Sequence, residues 1–131
     1  MKILLDTHVW LWSLLEPTRL PKRVAAKLGD PGNQLWLSPI SVWEAVILAE
    51  KRRIRVVGDP AEWVERACTA GPFHEAALTR EIALESRRLS PSLQDPADRF
   101  IAATARVLDL TLATADARLL DLKGLGLLSA A

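Results

Sequence analysis

The sequence lacks the features that define several classes of protein. With one cysteine among its 131 residues, the chain cannot form an internal disulfide, and a reducing cytoplasm is its expected location. The longest apolar stretch, around Val9 to Leu15, falls well short of the roughly 18 residues that a membrane-spanning helix requires. The first residues also reach a charge, at Asp6, too soon for the apolar core of a signal peptide. These absences exclude a transmembrane anchor and a disulfide-stabilised secreted protein.

Charge and composition are not biased either. The formal net charge is +1, so nucleic-acid binding would depend on a local basic patch and not on the overall charge. Hydrophobic residues make up 50% of the chain and charged residues 25%, which excludes a disordered or collagen-like protein. Proline and glycine occur mainly between the predicted helices and strands, and they form no linker. There is no internal repeat. We therefore expect residues 1–131 to form one domain.

Short, continuous apolar runs alternate with stretches of helical length. Continuous runs are typical of strands that are covered on both faces. Such strands are predicted at 3–5, 35–37 and 110–113, with two weaker runs at 73–78 and 125–128. Helices are predicted at 9–15, 21–28, 39–52, 60–69, 79–89, 96–108 and 116–121. This alternation predicts an α/β fold of three layers, in which helices cover both faces of a short, mainly parallel twisted sheet.

Four acidic residues lie where such a fold would bring side chains together. Asp6 follows the first strand and Asp116 follows the strand at 110–113. Ligands of parallel α/β sheets bind beyond the carboxyl ends of the strands, so these two acids predict a shared site. Glu44 and Asp98 lie near the starts of two predicted helices. Asp98 shares its helix face with alanines at i+4 and i+7, which let that helix approach the sheet closely.

A cluster of carboxylates requires neutralisation. Two carboxylates about 4 Å apart repel each other by roughly 4 kcal/mol at an effective dielectric constant of 20. Oxygen ligands without a cluster of cysteine or histidine favour Mg²⁺ or Mn²⁺ over Zn²⁺. An ion of this kind can activate a water and contact a phosphate oxygen, which is the chemistry of metal-dependent nucleases. The acids Asp6, Glu44, Asp98 and Asp116 are therefore candidate metal ligands and catalytic residues.

Simpler explanations exist for some of these residues. Asp95 precedes a proline and is more typical of a helix cap than of a ligand, so it is a reserve candidate for the site. Asp116 opens a predicted helix, where it could simply complement the helix dipole. His8 lies beside Asp6 and is a candidate to support the site, with a purely structural role as the alternative.

The densest basic segment lies directly after the predicted helix that carries Glu44. It consists of Lys51, Arg52, Arg53 and Arg55. These residues are candidates for contact with RNA or with a partner protein, because cations beside an acidic site would offset its repulsion of phosphate. A basic run at a helix end also favours the helix dipole and solvates the surface, so both interpretations stay open.

Four segments together resemble a known family. They are Leu4-Leu5-Asp6-Thr7-His8, Ser41-Val42-Trp43-Glu44, Asp95-Pro96-Ala97-Asp98-Arg99-Phe100-Ile101-Ala102-Ala103-Thr104-Ala105, and Leu112-Ala113-Thr114-Ala115-Asp116. In this order they resemble a PIN-domain protein, and more narrowly a VapC-type toxin ribonuclease of a type II toxin–antitoxin pair. The resemblance covers the whole chain, and the segment around Asp98 is its most specific part.

The resemblance implies a PIN-like fold and a homodimeric endoribonuclease that depends on Mg²⁺ or Mn²⁺. It also implies an RNA substrate and a cognate antitoxin that silences the enzyme. Asp6, Glu44, Asp98 and Asp116 match the four acids of the family, and Thr114 matches a hydroxyl that supports them.

Two other classes of function remain open from the sequence. One is a non-catalytic PIN-like interaction module that would use exposed tryptophans and the basic segment. The other is a phosphatase or phospho-receiver with Asp6 as the phosphorylated nucleophile. Against the second, Asp6-Thr7-His8 lacks a paired aspartate, and no lysine follows the late strand as a receiver requires.

Overall fold

The computed structural model describes residues 1–131, in which strands and helices alternate. The strands are β1 (Lys2–Leu5), β2 (Gln34–Leu37), β3 (Phe73–Glu75), β4 (Thr111–Thr114) and β5 (Gly126–Ser129). The α-helices are α1 (Thr7–Leu15), α2 (Lys22–Gly29), α3 (Pro39–Glu50), α4 (Pro60–Thr69), α5 (Arg80–Ser86), α6 (Pro96–Val107) and α7 (Ala117–Leu120), and a 3₁₀ turn spans Pro17–Arg19. No helix is both long enough and apolar enough to cross a bilayer.

Local capping explains most of the helix boundaries. Ser38, Asp59, Thr79 and Asp95 each accept a backbone N–H of the following first turn, so α3, α4, α5 and α6 start where the sequence predicts. Helix α1 starts two residues earlier than predicted, because the Asp6 carboxylate caps it by accepting the Thr7 N–H at 2.8 Å. Helix α5 ends three residues before the predicted end at 89, and β3 stops at Glu75 instead of 78.

The five strands form one parallel sheet in the order β3-β2-β1-β4-β5. The predicted α/β fold of three layers is confirmed, and the sheet is parallel throughout. Successive strands run outward from β1 on one side, and the chain then crosses to β4 on the other. The strand order therefore reverses between β1 and β4, and this switch point is where ligands of open α/β sheets bind.

Alternate residues of the central strands face two separate cores. Ile3 and Leu5 pack with helices α1 to α4 on one side of the sheet. Leu4 and Leu112 pack with α5, α6 and α7 on the other side. On that second side α6 contributes the alanines predicted to face the sheet, and Ala102 and Ala105 are at most 1% exposed. Their small side chains let α6 lie close to the sheet, with its first turn at the carboxyl edge.

Arg99 fixes the loop that leads into α6. Arg99 is 8% exposed, and its guanidinium forms no ion pair. It donates instead to the carbonyl oxygens of Ser86 at 2.9 Å, Leu89 at 3.1 Å, Ser90 at 2.9 Å and Leu93 at 2.6 Å. Four carbonyls at the end of α5 and in the following loop are thereby satisfied by one side chain, which ties this loop to the start of α6.

We expect Arg99→Met to destabilise the fold by about 3 kcal/mol or more, because the loop carbonyls lose charge-assisted donors in a site with little access to water. The measurement is the free energy of unfolding from urea titration. Arg88→Met is the matched control, since the Arg88 side chain is 68% exposed and paired only with Glu85. That control should change stability by less than about 0.5 kcal/mol. Equal effects of the two substitutions would contradict the role given to Arg99.

Candidate active site

The predicted acids converge on one pocket at the switch point of the sheet. The pocket has a volume of about 310 Å³. Its lining comprises Asp6, His8, Trp12, Glu44, Asp95, Asp98, Ala115, Asp116 and Arg118. All four acids singled out in the sequence are present, and the reserve candidate Asp95 is a fifth. These carboxylates come from four separate segments, so the tertiary fold alone brings them together.

Asp6 connects the two central strands at their carboxyl ends. Its backbone N–H donates to the Ala113 carbonyl of β4 at 3.0 Å, and its Oδ2 accepts the Thr114 hydroxyl at 2.8 Å. Thr114 Oγ1 also accepts the Asp116 N–H at 3.0 Å, so one hydroxyl links both strand-end acids. Burial raises the pKa of Asp6, and the Thr114 hydrogen bond opposes that rise. Thr114 is therefore hydrogen-bonded to both strand-end acids, and its supporting role in a functional site stays a prediction.

Glu44 reaches the pocket from the second turn of α3 and is held by a neighbour of Asp6. Thr7 Oγ1 lies 2.6 Å from Glu44 Oε1 and 2.9 Å from Ser41 Oγ. Thr7 has one hydroxyl proton, which goes to the carboxylate, so Ser41 acts as donor in the second bond. Burial raises the pKa of Glu44, with a further rise from the charge of Asp6. Thr7 thus joins the Asp6 segment to the Glu44 helix.

Asp98 is the acid of the pocket whose ionised form is most disfavoured by its surroundings. It is 7% exposed and accepts no hydrogen bond from the protein. Burial, followed by the charges of Asp95, Asp6, Asp116 and Glu44, raises its pKa to about 7. Asp95 both caps α6, with its Oδ1 accepting the Ala97 N–H at 3.1 Å, and lines the pocket. The two interpretations of Asp95 are therefore compatible, although only its capping bond is formed within the protein.

Asp116 differs from the other acids because it has a cationic partner. The guanidinium of Arg118 donates to Asp116 Oδ2 at 3.1 Å and to Oδ1 at 3.3 Å. The backbone N–H of Arg118 also donates to Oδ1, at 2.8 Å. These bonds lower the pKa of Asp116. The Arg118 side chain is 66% exposed, so solvent screens the pair and its net stabilisation is small. Asp116 also caps α7, as its position before a helix predicts.

The donor set of the pocket fits a hard divalent cation, although the side chains are not arranged around one. No three acidic, histidine or cysteine side chains are positioned to hold an ion directly. Asp6, Glu44 and Asp116 each direct at least one oxygen to a protein donor. Asp98 has its carboxylate unbonded among other negative charges, and oxygen-only donors suit Mg²⁺ or Mn²⁺. The chemistry of these residues is compatible with such an ion.

The remaining predicted residues divide between the pocket and other surfaces. His8 lines the pocket and is exposed, at 6.2 Å between ring centroids from Trp12. None of the four residues of the basic segment lines the acidic pocket. Arg52 and Arg55 border a separate cavity of about 630 Å³ beyond the end of α3. Their contact with RNA or a partner stays a prediction.

Three residues of the site were missed in the sequence. Thr7 and Ser41 form the hydrogen-bonded link to Glu44, and Arg118 pairs with Asp116. Thr7 and Arg118 follow acids already singled out, so a search for hydroxyl and guanidinium donors within two residues of each acid would have found them. Ser41 carries no such signal, since its role depends on the distance between α1 and α3.

Fold and pocket together define the class of protein. The chain is a three-layer α/β protein with an acidic pocket at the switch point of a parallel sheet, and this arrangement is consistent with hard-cation chemistry on a phosphate.

Comparison with known proteins then gives the family. The model of the PIN domain matches residues 3–125. Ribonuclease VapC22 of Mycobacterium tuberculosis (strain ATCC 25618 / H37Rv) is 34% identical over 118 residues, which cover 89% of this chain and 88% of that protein. The chain therefore belongs to the PIN domain family, with a VapC ribonuclease as a relative over most of its length.

Solved structures agree on the fold. VapBC2 from Rickettsia felis, bound to a DNA fragment from its promoter, superposes with a TM-score of 0.73 at 16% identity and covers 98% of each chain. A toxin–antitoxin complex from Klebsiella pneumoniae superposes with a TM-score of 0.66 at 22% identity, again covering 98% of each chain. The arrangement of helices around the parallel sheet is thus shared along nearly the whole chain.

We expect the stability of the metal-free protein to fall as pH rises between about pH 5 and pH 8. The pKa of Asp98 is raised to about 7 in the folded state from an ordinary 3.8. The folded state therefore holds a proton that the unfolded state has lost, and this stabilisation disappears as pH passes through the folded pKa. The raised pKa values of Asp6 and Glu44 act in the same direction. The lowered pKa of Asp116 acts only at more acidic pH, because its stabilisation is present above its ordinary value.

Urea unfolding in EDTA across this pH range measures the effect, and Asp98→Asn is the comparison. The variant keeps the shape of the side chain and cannot ionise, so it should remove most of the pH dependence. A wild-type stability that is flat or rising over this range would show that the carboxylates do not oppose one another.

Proposed function

We propose that this protein is an endoribonuclease that depends on Mg²⁺ or Mn²⁺ and acts as the toxin of a toxin–antitoxin pair. The observation that carries the proposal is Asp98, a residue that is 7% exposed and whose carboxylate faces the pocket without a protein donor, among four other acids. Such an arrangement destabilises the metal-free protein, and it is explained if a divalent cation and a phosphate are to be bound there. The similarity to a VapC ribonuclease over most of the chain supports RNA as the substrate.

Each acid has a role in this proposal. Asp98 contributes the free carboxylate of the metal site, with Asp6 and Glu44 contributing oxygens directly or through water. Asp116 would add a further carboxylate to the pocket. Its side chain is held by Arg118 and its backbone N–H by the Thr114 hydroxyl. When bound, the metal lowers the pKa of a coordinated water and offsets charge on the phosphate, so hydrolysis needs no covalent enzyme intermediate. Thr7 and Thr114 keep the carboxylates of Glu44 and Asp6 in position.

The partners that we propose follow the related complexes. A structurally similar protein is part of a toxin–antitoxin complex, and we propose a cognate antitoxin for this chain. A homodimer is the proposed assembly. Trp43, on α3 beside Glu44, is 58% exposed and offers an apolar side chain for one of these contacts, because exposed tryptophans are enriched at interfaces.

The competing function is a non-catalytic PIN-like interaction module. Exposure of Trp43 and the separate cavity at Arg52 and Arg55 are consistent with it. It does not require the acids to be close together, and it gives no reason for Asp98 to be buried without a donor. The nuclease is therefore the function that the pocket supports best.

We expect EDTA to abolish cleavage of single-stranded RNA by the purified protein and Mg²⁺ or Mn²⁺ to restore it. The reason is that the carboxylates alone repel phosphate and supply no Lewis acid. Release of labelled RNA fragments, resolved by gel, is the measurement, with Ca²⁺ as a comparison ion of larger radius. Strong cleavage by metal-free protein would reject the mechanism.

Asp98→Asn should reduce RNA cleavage by more than the roughly 10–100-fold that is typical for loss of an outer partner of a metal ligand. An amide cannot supply the negative charge that holds the cation. The matched control is Asp109→Asn at the other end of α6, where φ is +53° and asparagine is well tolerated. Initial rates at saturating RNA compare the two. A variant Asp98→Asn that keeps both its cleavage and its toxicity in cells would favour the interaction module.

A further inference from the structure

We infer that a polar groove beside the acidic pocket binds an RNA phosphate that neighbours the one being cleaved. The groove has a volume of about 300 Å³. It is lined by Ser90, Ser92, Arg106, Arg118, Asp121, Leu122 and Lys123. The inference rests on the proposed function, because it extends the path of the same RNA strand.

The groove and the acidic pocket share a wall. Arg118 lines both of them, with its guanidinium on Asp116 and 66% of its side chain exposed. A ligand that leaves the acidic pocket past Arg118 therefore enters the groove directly. The cavity at Arg52 and Arg55 has no lining residue in common with the acidic pocket, so it is not a continuation of that path.

The lining of the groove contains more cations than acids. Arg106, Arg118 and Lys123 line it together with the single carboxylate of Asp121, and Arg118 is paired with Asp116 at 3.1 Å. Arg106 is partly neutralised by Glu85 at 3.3 Å. Lys123 forms no ion pair and its side chain is exposed. An RNA strand whose cleaved phosphate lies among five acids needs cations at its neighbouring phosphates, and the groove supplies them.

The walls of the groove are fixed by bonds to the core. Arg106 Nη2 donates to the Lys123 carbonyl at 2.9 Å, which holds the turn that carries the lysine. On the opposite wall the hydroxyls of Ser90 and Ser92 lie 2.8 Å apart, on the loop whose carbonyls Arg99 binds. Lysine as a point charge and serine hydroxyls as neutral donors are common contacts to phosphate oxygens.

The test is RNA binding by full-length protein that carries Asp98→Asn, so that the strand stays intact in the presence of Mg²⁺. Fluorescence anisotropy of a short labelled single-stranded RNA gives Kd across a series of salt concentrations. We expect Lys123→Ala to weaken binding and to reduce the slope of log K against log salt by about 0.7, the value for one phosphate contact on a single strand. Ser92→Ala should weaken binding with an unchanged slope, because a hydroxyl releases no counterion.

Lys22→Ala is the matched control, since Lys22 is an exposed lysine at the start of α2, a helix that packs on the other face of the sheet. It should leave both Kd and slope unchanged. In protein with Asp98 intact, Lys123→Ala should raise KM for RNA and leave kcat unchanged. Urea unfolding of each variant checks that the fold is retained.

Two results would overturn the inference. One is a slope for Lys123→Ala that equals that of Lys22→Ala, and the other is a loss in kcat with no change in KM. The first of these results, if accompanied by weaker binding of an acidic partner protein, would identify the groove as a protein contact. Failure of the wild type to cleave RNA with Mg²⁺ or Mn²⁺ would instead reject the proposed function, since the binding measurements do not depend on cleavage.

Discussion

Repulsion among buried carboxylates is the constraint on which the rest of this structure depends. Asp98 lies close to the other acids because the small alanines of α6 let that helix pack closely against the sheet. The first turn of α6 thereby lies at the switch point. No donor of the protein relieves it, and its pKa is raised to about 7. A fold selected only for stability would place a neutral side chain there. The divalent cation that we propose for the pocket would offset this repulsion.

Hydrogen bonds from side chains around the pocket hold the mutually repelling carboxylates in place. Thr114 and Thr7 each use a hydroxyl to hold one acid, and each belongs to the segment next to another acid. The guanidinium of Arg99 donates to carbonyl oxygens at the end of α5 and in the loop before α6, and so fixes that loop. It contacts no acid of the pocket. The positions of the carboxylates are therefore determined by hydroxyls, by backbone N–H groups and by the guanidinium groups of Arg99 and Arg118, and not by contacts between the acids.

Three of the pocket acids also begin helices. Asp6, Asp95 and Asp116 cap α1, α6 and α7, so each has a structural role that needs only the adjacent backbone. A carboxylate that caps a helix gains from the positive end of the helix dipole, and this gain offsets part of the repulsion from the neighbouring acids. Glu44 and Asp98 cap no helix, and the metal site that we propose would account for their positions.

The sequence by itself determined the alternation of strands and helices, the caps at Ser38, Asp59, Thr79 and Asp95, and which acids were candidates for the site. These features depend on periodicity and on bonds between residues a few positions apart, so they can be derived without the fold. Only the tertiary structure decided the order of the strands, the bond from Thr7 to Glu44, the four carbonyls bound by Arg99, and the separation of Arg52 and Arg55 from the acidic pocket. Each of these depends on how crossovers place distant segments and how each helix is rotated on the sheet, and a shift of one residue would turn the side chain to another face.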